Sequence, residues 1–317
     1  MASRPSFSII APVYGVEKYI VNCADSLLGQ TYDDIQFIFV NDGTKDDSIV
    51  LLQKLIDEKY SSLKDRIIIV NKQNEGLPAA RKTGMEYAAG DYILHVDSDD
   101  WVEKDMVEKI AAKAVETDSD VIYFDFYKEY STRSKLDREK EYTADSKKKF
   151  VWGLFNYKAY GYVWNKCVKR MLYADHDIRF PSYGMHEDIY LMSQLLYHAG
   201  SIVHLPSALY HYRRDNPGSI SAAKRENRRR DSAMNMMDLY ERYKDDLSNS
   251  PICDSYSEIL FRTGWLSIRY GFGFFERFSY LAQHIRKEPL SFKNKTFILW
   301  QIITKVYSIF QIGRAHV

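Results

Sequence analysis

The sequence predicts an α/β protein, a Rossmann-like and mostly parallel sheet flanked by helices, and three observations carry that expectation. Between residues 7 and 125 short apolar runs alternate with longer amphipathic ones, the pattern of strands joined by crossover helices. Turn-forming and polar residues gather after the short runs, at the edge where an open α/β sheet binds ligands. One run, Tyr92-Ile93-Leu94-His95-Val96, goes straight into the carboxylates Asp97, Asp99 and Asp100.

In chain order the strands are expected at 7–13, 35–40, 66–70, 92–96 and 121–127. The helices fall between them at 16–28, 46–60, 77–89 and 103–117. The first strand ends Ala11-Pro12-Val13-Tyr14-Gly15, where Pro and Gly bracket a turn whose backbone can read a base edge. The second ends Val40-Asn41-Asp42-Gly43-Thr44, with Asp42 set to accept from a ring N–H and Gly43 allowing close approach. The third ends in residues 71–76 and leads into a helix carrying Arg81. Each turn alone is also an ordinary capped βα connection. Together with Asp97 and Asp99 at the same sheet edge they favour a ligand site.

Asp97 and Asp99 are two apart, so in extended backbone both point the same way and suit a hard divalent cation or a ribose diol. The chain has three Asp-x-Asp triplets, the others being Asp118/Asp120 and Asp175/Asp177. Only the first follows a strand. Asp118-Ser119-Asp120 precedes the run at 121–127 and belongs to the opposite edge.

Residues 128–149 break the pattern, since 13 of the 22 are charged, and a solvated loop or irregular hairpin is expected. Aromatic residues then return at Trp152, Phe155, Tyr157, Tyr160, Tyr162 and Trp164, as core or as the join between sheet and helices. A helix opens near Glu187 and Asp188 and runs to about Ala199. Acids in a first turn suit the helix dipole. If the preceding loop folds over the sheet edge, one of the two faces the ligand, because adjacent helical residues point about 100° apart. Short strands at 202–205 and 209–212 precede residues 213–221, a basic Gly/Pro-containing loop that can close on phosphates or serve as a surface turn.

Residues 222–312 read as helical. Within 296–312 polar residues recur at helical spacing against a wide apolar face, which docks on the domain or a partner protein, or lies on a membrane surface. The last residues, Ile312-Gly313-Arg314-Ala315-His316-Val317, can be encoded by ATC GGA AGA GCA CAC GTC, which resembles a sequencing adapter. An artefactual tail at 313–317, on a natural chain that continues past Gln311, is therefore expected. A stop codon directly after Val317 in a resequenced locus would refute it.

The 317 residues are 45% hydrophobic and 27% charged with a net charge of +1, so no global field argues for nucleic acid. Cys23, Cys167 and Cys253 are far apart and lack metal-ligand spacing, which suits buried thiols in a reducing compartment. The N-terminus enters the first strand without a signal-peptide pattern, and no apolar stretch reaches the roughly 18 to 20 residues of a membrane span.

The assembled residues resemble family 2 glycosyltransferases of the GT-A fold. The matching text is Ser8-Ile9-Ile10-Ala11-Pro12-Val13-Tyr14, Ser26-Leu27-Leu28-Gly29-Gln30-Thr31-Tyr32, Val40-Asn41-Asp42-Gly43-Thr44-Lys45-Asp46, and Asn74-Glu75-Gly76 with Ala80-Arg81. It goes on through Val96-Asp97-Ser98-Asp99-Asp100, Trp164-Asn165-Lys166, Glu187-Asp188 and Tyr210-His211-Tyr212-Arg213 to Ser219-Ile220-Ser221. The resemblance implies a domain over 1–221, with a nucleotide-binding half at 6–127 and an acceptor half at 150–221, followed by the helical region 222–312. It implies transfer of a sugar from a nucleotide-diphosphate donor, with UDP-sugar as the expected donor, to a hydroxyl of a glycan or lipid-linked acceptor, with inversion.

By position, the resemblance implies that Pro12, Tyr14 and Asp42 hold the base with help from Arg81, that Asp97 binds the ribose, and that Asp99 coordinates Mn²⁺ or Mg²⁺. It makes Asp188 the general base with Glu187 in support, and puts His211 and Arg213 in a lid over the phosphates. A cytoplasmic protein of bacterial polysaccharide biosynthesis, peripheral at the inner face of the cell membrane, is the implied setting. Thr44-Lys45 departs from two small hydroxyl or polar residues in the family text. A sugar-phosphate nucleotidyltransferase would show a Gly-rich loop where this chain has Pro12-Val13-Tyr14-Gly15-Val16-Glu17. A processive membrane synthase would show spans and a Gln-x-x-Arg-Trp motif, and a non-catalytic nucleotide- or glycan-binding relative would be expected to lose Asp99 or Asp188.

Overall fold

The computed structural model describes residues 4–216 except 156, 157 and 185, together with a few isolated positions between 231 and 242. Apart from those positions, the helical region 222–312, the tail and residues 217–221 of the basic loop lie outside the described residues.

The chain opens as an alternating series, β1 (Phe7–Val13), α1 (Ile20–Leu28), β2 (Ile35–Asn41), α2 (Ser48–Lys59), β3 (Ile67–Asn71), α3 (Leu77–Tyr87) and β4 (Tyr92–His95). β1 is buried along its whole length, as its near-continuous apolar sequence requires of a strand covered on both faces. These four strands are mutually parallel in the order β3-β2-β1-β4. Their register pairs Val13 with Asn41 and Asn41 with Asn71, so the first three strands finish level. Gly90 is fixed by close approach, since a Cβ there would lie 2.5 Å from the Phe7 carbonyl carbon.

The second half adds β5 (Trp101–Val102), α4 (Met106–Thr117), β6 (Val121–Tyr130), β7 (Arg133–Asp137), α5 (Lys147–Phe155), β8 (Lys166–Lys169), α6 (Arg170–Asp175), α7 (Glu187–His198) and β9 (Ile202–Arg213). β8 joins the halves, antiparallel to both β4 and β6, while β9 runs parallel to β6 and carries the short antiparallel β5. The charged stretch forms a hairpin, with β7 folded back on an extended β6. β5, α5, β8 and α6 are not foreseen in the sequence, where short runs among aromatic and charged residues give no clean period.

The two strands expected at 202–205 and 209–212 are one. Leu205 pairs with Phe124 and Ala208 with Asp125, so Pro206 and Ser207 form an irregularity inside β9. Proline removes a ladder donor, which makes a bulge the way for a strand to continue through it. Asp118 and Asp120 stand at the far edge of the sheet, where both pair with Lys169.

Where α6 and α7 end, the rings of His176 and His198 stack at 3.9 Å. Burial first, then the charges of His176, Arg242 and Lys147, push His198 down from 6.5 to about 4. The unfolded chain therefore binds a proton that the folded one refuses in this window. Stability is complete above about pH 6.5 and is lost as pH falls toward 4. Urea unfolding at stepped pH should show that decline, and His198→Gln should flatten it.

Candidate functional site

The acidic end of β4 is fixed by the end of β9, which lies two strands beyond β8. The Asp97 amide donates to Tyr210 Oη at 3.0 Å, the Tyr210 hydroxyl donates to Asp100 Oδ2 at 2.8 Å, and the Arg213 amide donates to Asp100 Oδ1 at 2.7 Å. Asp100, named in the sequence with Asp97 and Asp99 but given no role there, is the acid that ties this turn to β9. It is buried, and burial followed by the charges of Asp99 and Asp97 pushes its carboxyl well up. The available signal was a third acid directly before the Trp101-Val102 pair, too close to the core to be a surface turn.

Asp97 and Asp99 part company at this turn. Asp97 Oδ1 accepts from Arg81 Nη2 at 2.7 Å. Asp99 Oδ2 accepts from Asn216 Nδ2 at 2.8 Å, and its carbonyl accepts from Arg213 Nε at 3.0 Å. The Arg213 guanidinium is sandwiched between the rings of Tyr19 and Trp101, at 4.9 and 4.8 Å. The beginning of the basic loop is thus already seated over the Asp99 turn.

Arg81 joins the two sides of the site. It sits one turn into α3, whose start is set by Gly76 at φ 90 and by Pro78 in the first turn. Its side chain is 1% exposed, and besides Asp97 it binds Glu187 and Asp188 through Nη1, the latter at 3.1 Å. One guanidinium therefore faces three carboxylates. Burial lifts Asp97 to about 6 against the opposing pull of Arg81, with Asp99 and Asp188 adding to the rise. Burial likewise holds Glu187 well above the usual carboxylate range.

The sequence reading set Arg81 beside the nucleotide base; here both its terminal nitrogens hold carboxylates. It also turned only one of Glu187 and Asp188 toward the site. Both reach the same nitrogen, because the guanidinium lies across the first turn of α7 and subtends the angle between them.

Asp42 is likewise more occupied than expected. Its Oδ1 accepts from Lys72 Nζ at 2.9 Å and the Glu75 amide at 3.0 Å, and its Oδ2 from the Gly76 amide at 2.8 Å. A carboxylate offers about four acceptor positions, so one on Oδ2 is left for a ring N–H. The Pro12 carbonyl accepts from the Ser98 hydroxyl, which ties the β1 turn to the acidic turn, and Tyr14 beside it is 54% exposed. Thr44 accepts from the Gly15 amide at 2.9 Å, so the departure from the family text still supplies a working hydroxyl.

His211, which the resemblance puts in a lid over the phosphates, is held here by four side chains. Its ring is stacked between Trp101 and Tyr127, at 5.0 and 4.9 Å, with Nδ1 on Glu129 and Nε2 on Glu103. Both nitrogens are used in tying β5 and β6 to β9.

Trp164-Asn165-Lys166 also works from inside. Lys166 is buried, which lowers its ammonium pKa, and it donates to the carbonyls of Tyr160 and Tyr162 at 2.9 Å each and to Asn165 Oδ1 at 2.7 Å. Glu139 Oε1 stands 3.7 Å from the same nitrogen.

A hard cation carried on a diphosphate needs only one or two protein carboxylates. Asp99 fits that demand, with acceptor positions beyond the one used by Asn216. Among the described residues there is no group of three or more His, Cys, Asp or Glu side chains that would make a protein-only metal cage.

Comparison with known proteins defines the class. Residues 8–173 match the model of Glycosyl transferase family 2, and the chain belongs to that family. Its relatives include the glycosyltransferase GlyA of Streptococcus pneumoniae, 32% identical over 224 residues that make up 68% of this chain and 31% of GlyA. The uncharacterized glycosyltransferase EpsJ of Bacillus subtilis is 33% identical over 237 residues, 68% of this chain and 63% of EpsJ. The chain thus spans less than two thirds of either relative. Among solved structures, S. aureus TarS 1–349 in complex with UDP-GlcNAc has a TM-score of 0.64 at 22% identity, covering 85% of this chain and 75% of that one. The mannosyltransferase PcManGT from Pyrobaculum calidifontis, in complex with GDP-Man and Mn²⁺, has a TM-score of 0.56 at 12% identity, covering 98% of this chain and 84% of that one. The α/β sheet flanked by helices is the GT-A fold.

Proposed function

We propose that this glycosyltransferase moves a sugar from a UDP-sugar to a hydroxyl of a glycan or lipid-linked acceptor with inversion, using Asp188 as general base. The observation that carries the reading is the Arg81 junction, which holds Asp97, at the donor strand end, and Asp188, on α7, to one guanidinium. An inverting displacement needs a leaving-group side and a base side flanking one reacting carbon, and the junction spans both.

In this reading Pro12, Tyr14 and Asp42 hold the base, Asp97 binds the ribose, and Asp99 is the protein ligand for Mn²⁺ or Mg²⁺. The bound cation supplies charge neutralisation on the departing diphosphate. Asp188 takes the acceptor proton as the hydroxyl attacks, and Glu187 keeps it in place through their shared partner Arg81. Arg213, at the beginning of the basic loop, faces the phosphates. The UDP-GlcNAc complex of TarS supports UDP as the nucleotide, and the Mn²⁺ complex of PcManGT supports a divalent ion.

Among the described residues no helix is long and apolar enough to cross a membrane. The proposal sets the reaction in the cytoplasm, at the inner face of the cell membrane where a lipid-linked acceptor is presented, with residues 222–312 in contact with the membrane or a partner protein.

A panel of nucleotide sugars, assayed for metal-dependent release of nucleoside diphosphate, tests the reading. One UDP-sugar should respond, and release should stop when the divalent ion is chelated. Asp99→Ala should abolish both donor hydrolysis and transfer. Full activity in that variant would remove Asp99 from the metal.

A further inference from the structure

His95 is a buried polar residue with no part in the transfer reaction. It ends β4, two positions before Asp97, and is 2% exposed. Its partner across the parallel ladder is Ile10, and the Val96 amide still donates to the Ile10 carbonyl at 2.9 Å. Strand partners share a face, so His95 points the same way as Ile10, toward α3. α3 lies hard against that face, where a Cβ on Gly84 would collide with Ile10 Cγ2. Alternate residues of extended chain also share a face, which puts Asp97 next beyond His95.

Arg81 of α3 comes down on the same two residues. Its Nη2 reaches Asp97 and its Nη1 reaches Glu187 and Asp188, which leaves Nε–H, two bonds back along the side chain. Among the described residues, Arg81 Nε and both ring nitrogens of His95 are buried without a hydrogen-bond partner. The guanidinium charge is felt at the ring: burial first, then Arg81, holds His95 well below the usual imidazole range, so the ring is neutral. A neutral imidazole has one donor and one acceptor nitrogen.

Tyr173, from α6, closes this pocket with its ring edge-on to His95 at 6.4 Å. Burial raises its phenol while Arg81 pulls the other way, so all three side chains share one neighbourhood. The rest of the lining, Ile10, Ala80 and Ile93 among it, is apolar. A donor left unpaired in such surroundings is costly, and buried polar groups that do not meet directly are joined by ordered water. Arg81 Nε–H and the imidazole acceptor supply two of the roughly two to four partners that such a water needs.

We propose that one internal water joins Arg81 Nε–H to the acceptor nitrogen of His95, and that His95 is thereby the positioning residue of the Arg81 junction. The water accepts from Nε–H and donates to the imidazole. That fixes the plane of the guanidinium, and with it the places of Asp97 on one side and of Glu187 and Asp188 on the other. An apolar side chain at position 95 would suit the lining but leave the plane unheld. The water site does not depend on the transfer reading; its link to UDP rests on the ribose role given to Asp97.

The test is NMR on the nitrogen-15-labelled full chain, reading the arginine Nε–H signals, with that of Arg81 assigned by its loss in Arg81→Lys. The Arg81 signal should exchange slowly with solvent and show a cross-peak at the water frequency, with the sign of a long-lived internal water. His95→Phe, which keeps a flat ring and removes the acceptor, should abolish the cross-peak and speed the exchange about tenfold, the value of one hydrogen bond. His95→Gln, which keeps an acceptor, should behave as wild type. No water cross-peak in the wild type, unchanged exchange in His95→Phe, or loss of the cross-peak in His95→Gln would each overturn the site. Should His95→Phe fail to fold, the wild-type cross-peak and the His95→Gln spectrum decide. UDP titrated into the same samples should bind about tenfold more weakly to His95→Phe than to wild type or His95→Gln. Altered Arg81 signals with unchanged UDP binding would sink Asp97 as the ribose ligand and leave the water site standing.

Discussion

Replacing Arg81 by Met should destabilise the protein by about 3–5 kcal/mol at pH 7, because a buried cation is removed while its three acidic partners stay in place. The side chain is fully packed and of similar volume, so the loss is electrostatic rather than a cavity effect. Its pH dependence is the diagnostic feature. Asp97, already lifted to about 6 by burial with Arg81 present, rises further without it, and so does Glu187. An acid whose folded pKa exceeds its unfolded value costs stability as pH climbs from about 4, the unfolded value, through the folded one. The deficit of Arg81→Met relative to wild type should therefore be small at pH 4.5 and grow toward pH 7.5. Urea midpoints across that range measure it. Adding Glu187→Gln should recover part of the loss, since the two residues are in contact and their effects are not additive. A deficit that stays constant with pH would mean that the three carboxylates do not share one charge.

How much of this was legible in the sequence depends on whether a residue acts through its neighbours along the chain or across the sheet. The parallel half could be read because period and turn chemistry are local, and the strand ends of β1, β2 and β4 fell where their Pro, Gly and Asp residues put them. Asp97 and Asp99 could be told from the other Asp-x-Asp triplets by position alone. Arg81 and His211 could not be assigned that way, because their partners lie 106 and 107 residues away at Glu187 and Asp188, and 82 and 108 residues away at Glu129 and Glu103. A basic side chain near a nucleotide site looks like a ligand contact until the acids that neutralise it are brought in by topology. Asp100 was hidden for the same reason, since Tyr210 and Arg213 reach it across β8 and β6. Pro206, a strand breaker in the sequence, became a bulge because the β6 ladder on either side of it was strong enough to continue.

Asp188→Asn should lower sugar transfer by about 10² to 10⁴, the usual contribution of a positioned general base, while leaving UDP binding intact. The substitution keeps the shape of the side chain and an oxygen that can still accept from Arg81 Nη1, so the junction with Asp97 survives. What it removes is the lone pair that receives the acceptor proton. Glu187 cannot substitute, because it is buried, held well above the usual carboxylate range, and turned to the same guanidinium. The contrast with Asp99→Ala separates the two sides of the reaction. Loss of the metal ligand should stop donor hydrolysis as well as transfer, since both need the diphosphate to leave. Loss of the base should spare the slow attack of water, which can hand its proton to neighbouring water molecules. The ratio of hydrolysis to transfer should therefore rise in Asp188→Asn, measured as UDP released against glycoside formed in one reaction. An unchanged ratio with both rates lowered alike would assign Asp188 to donor binding and leave the base elsewhere.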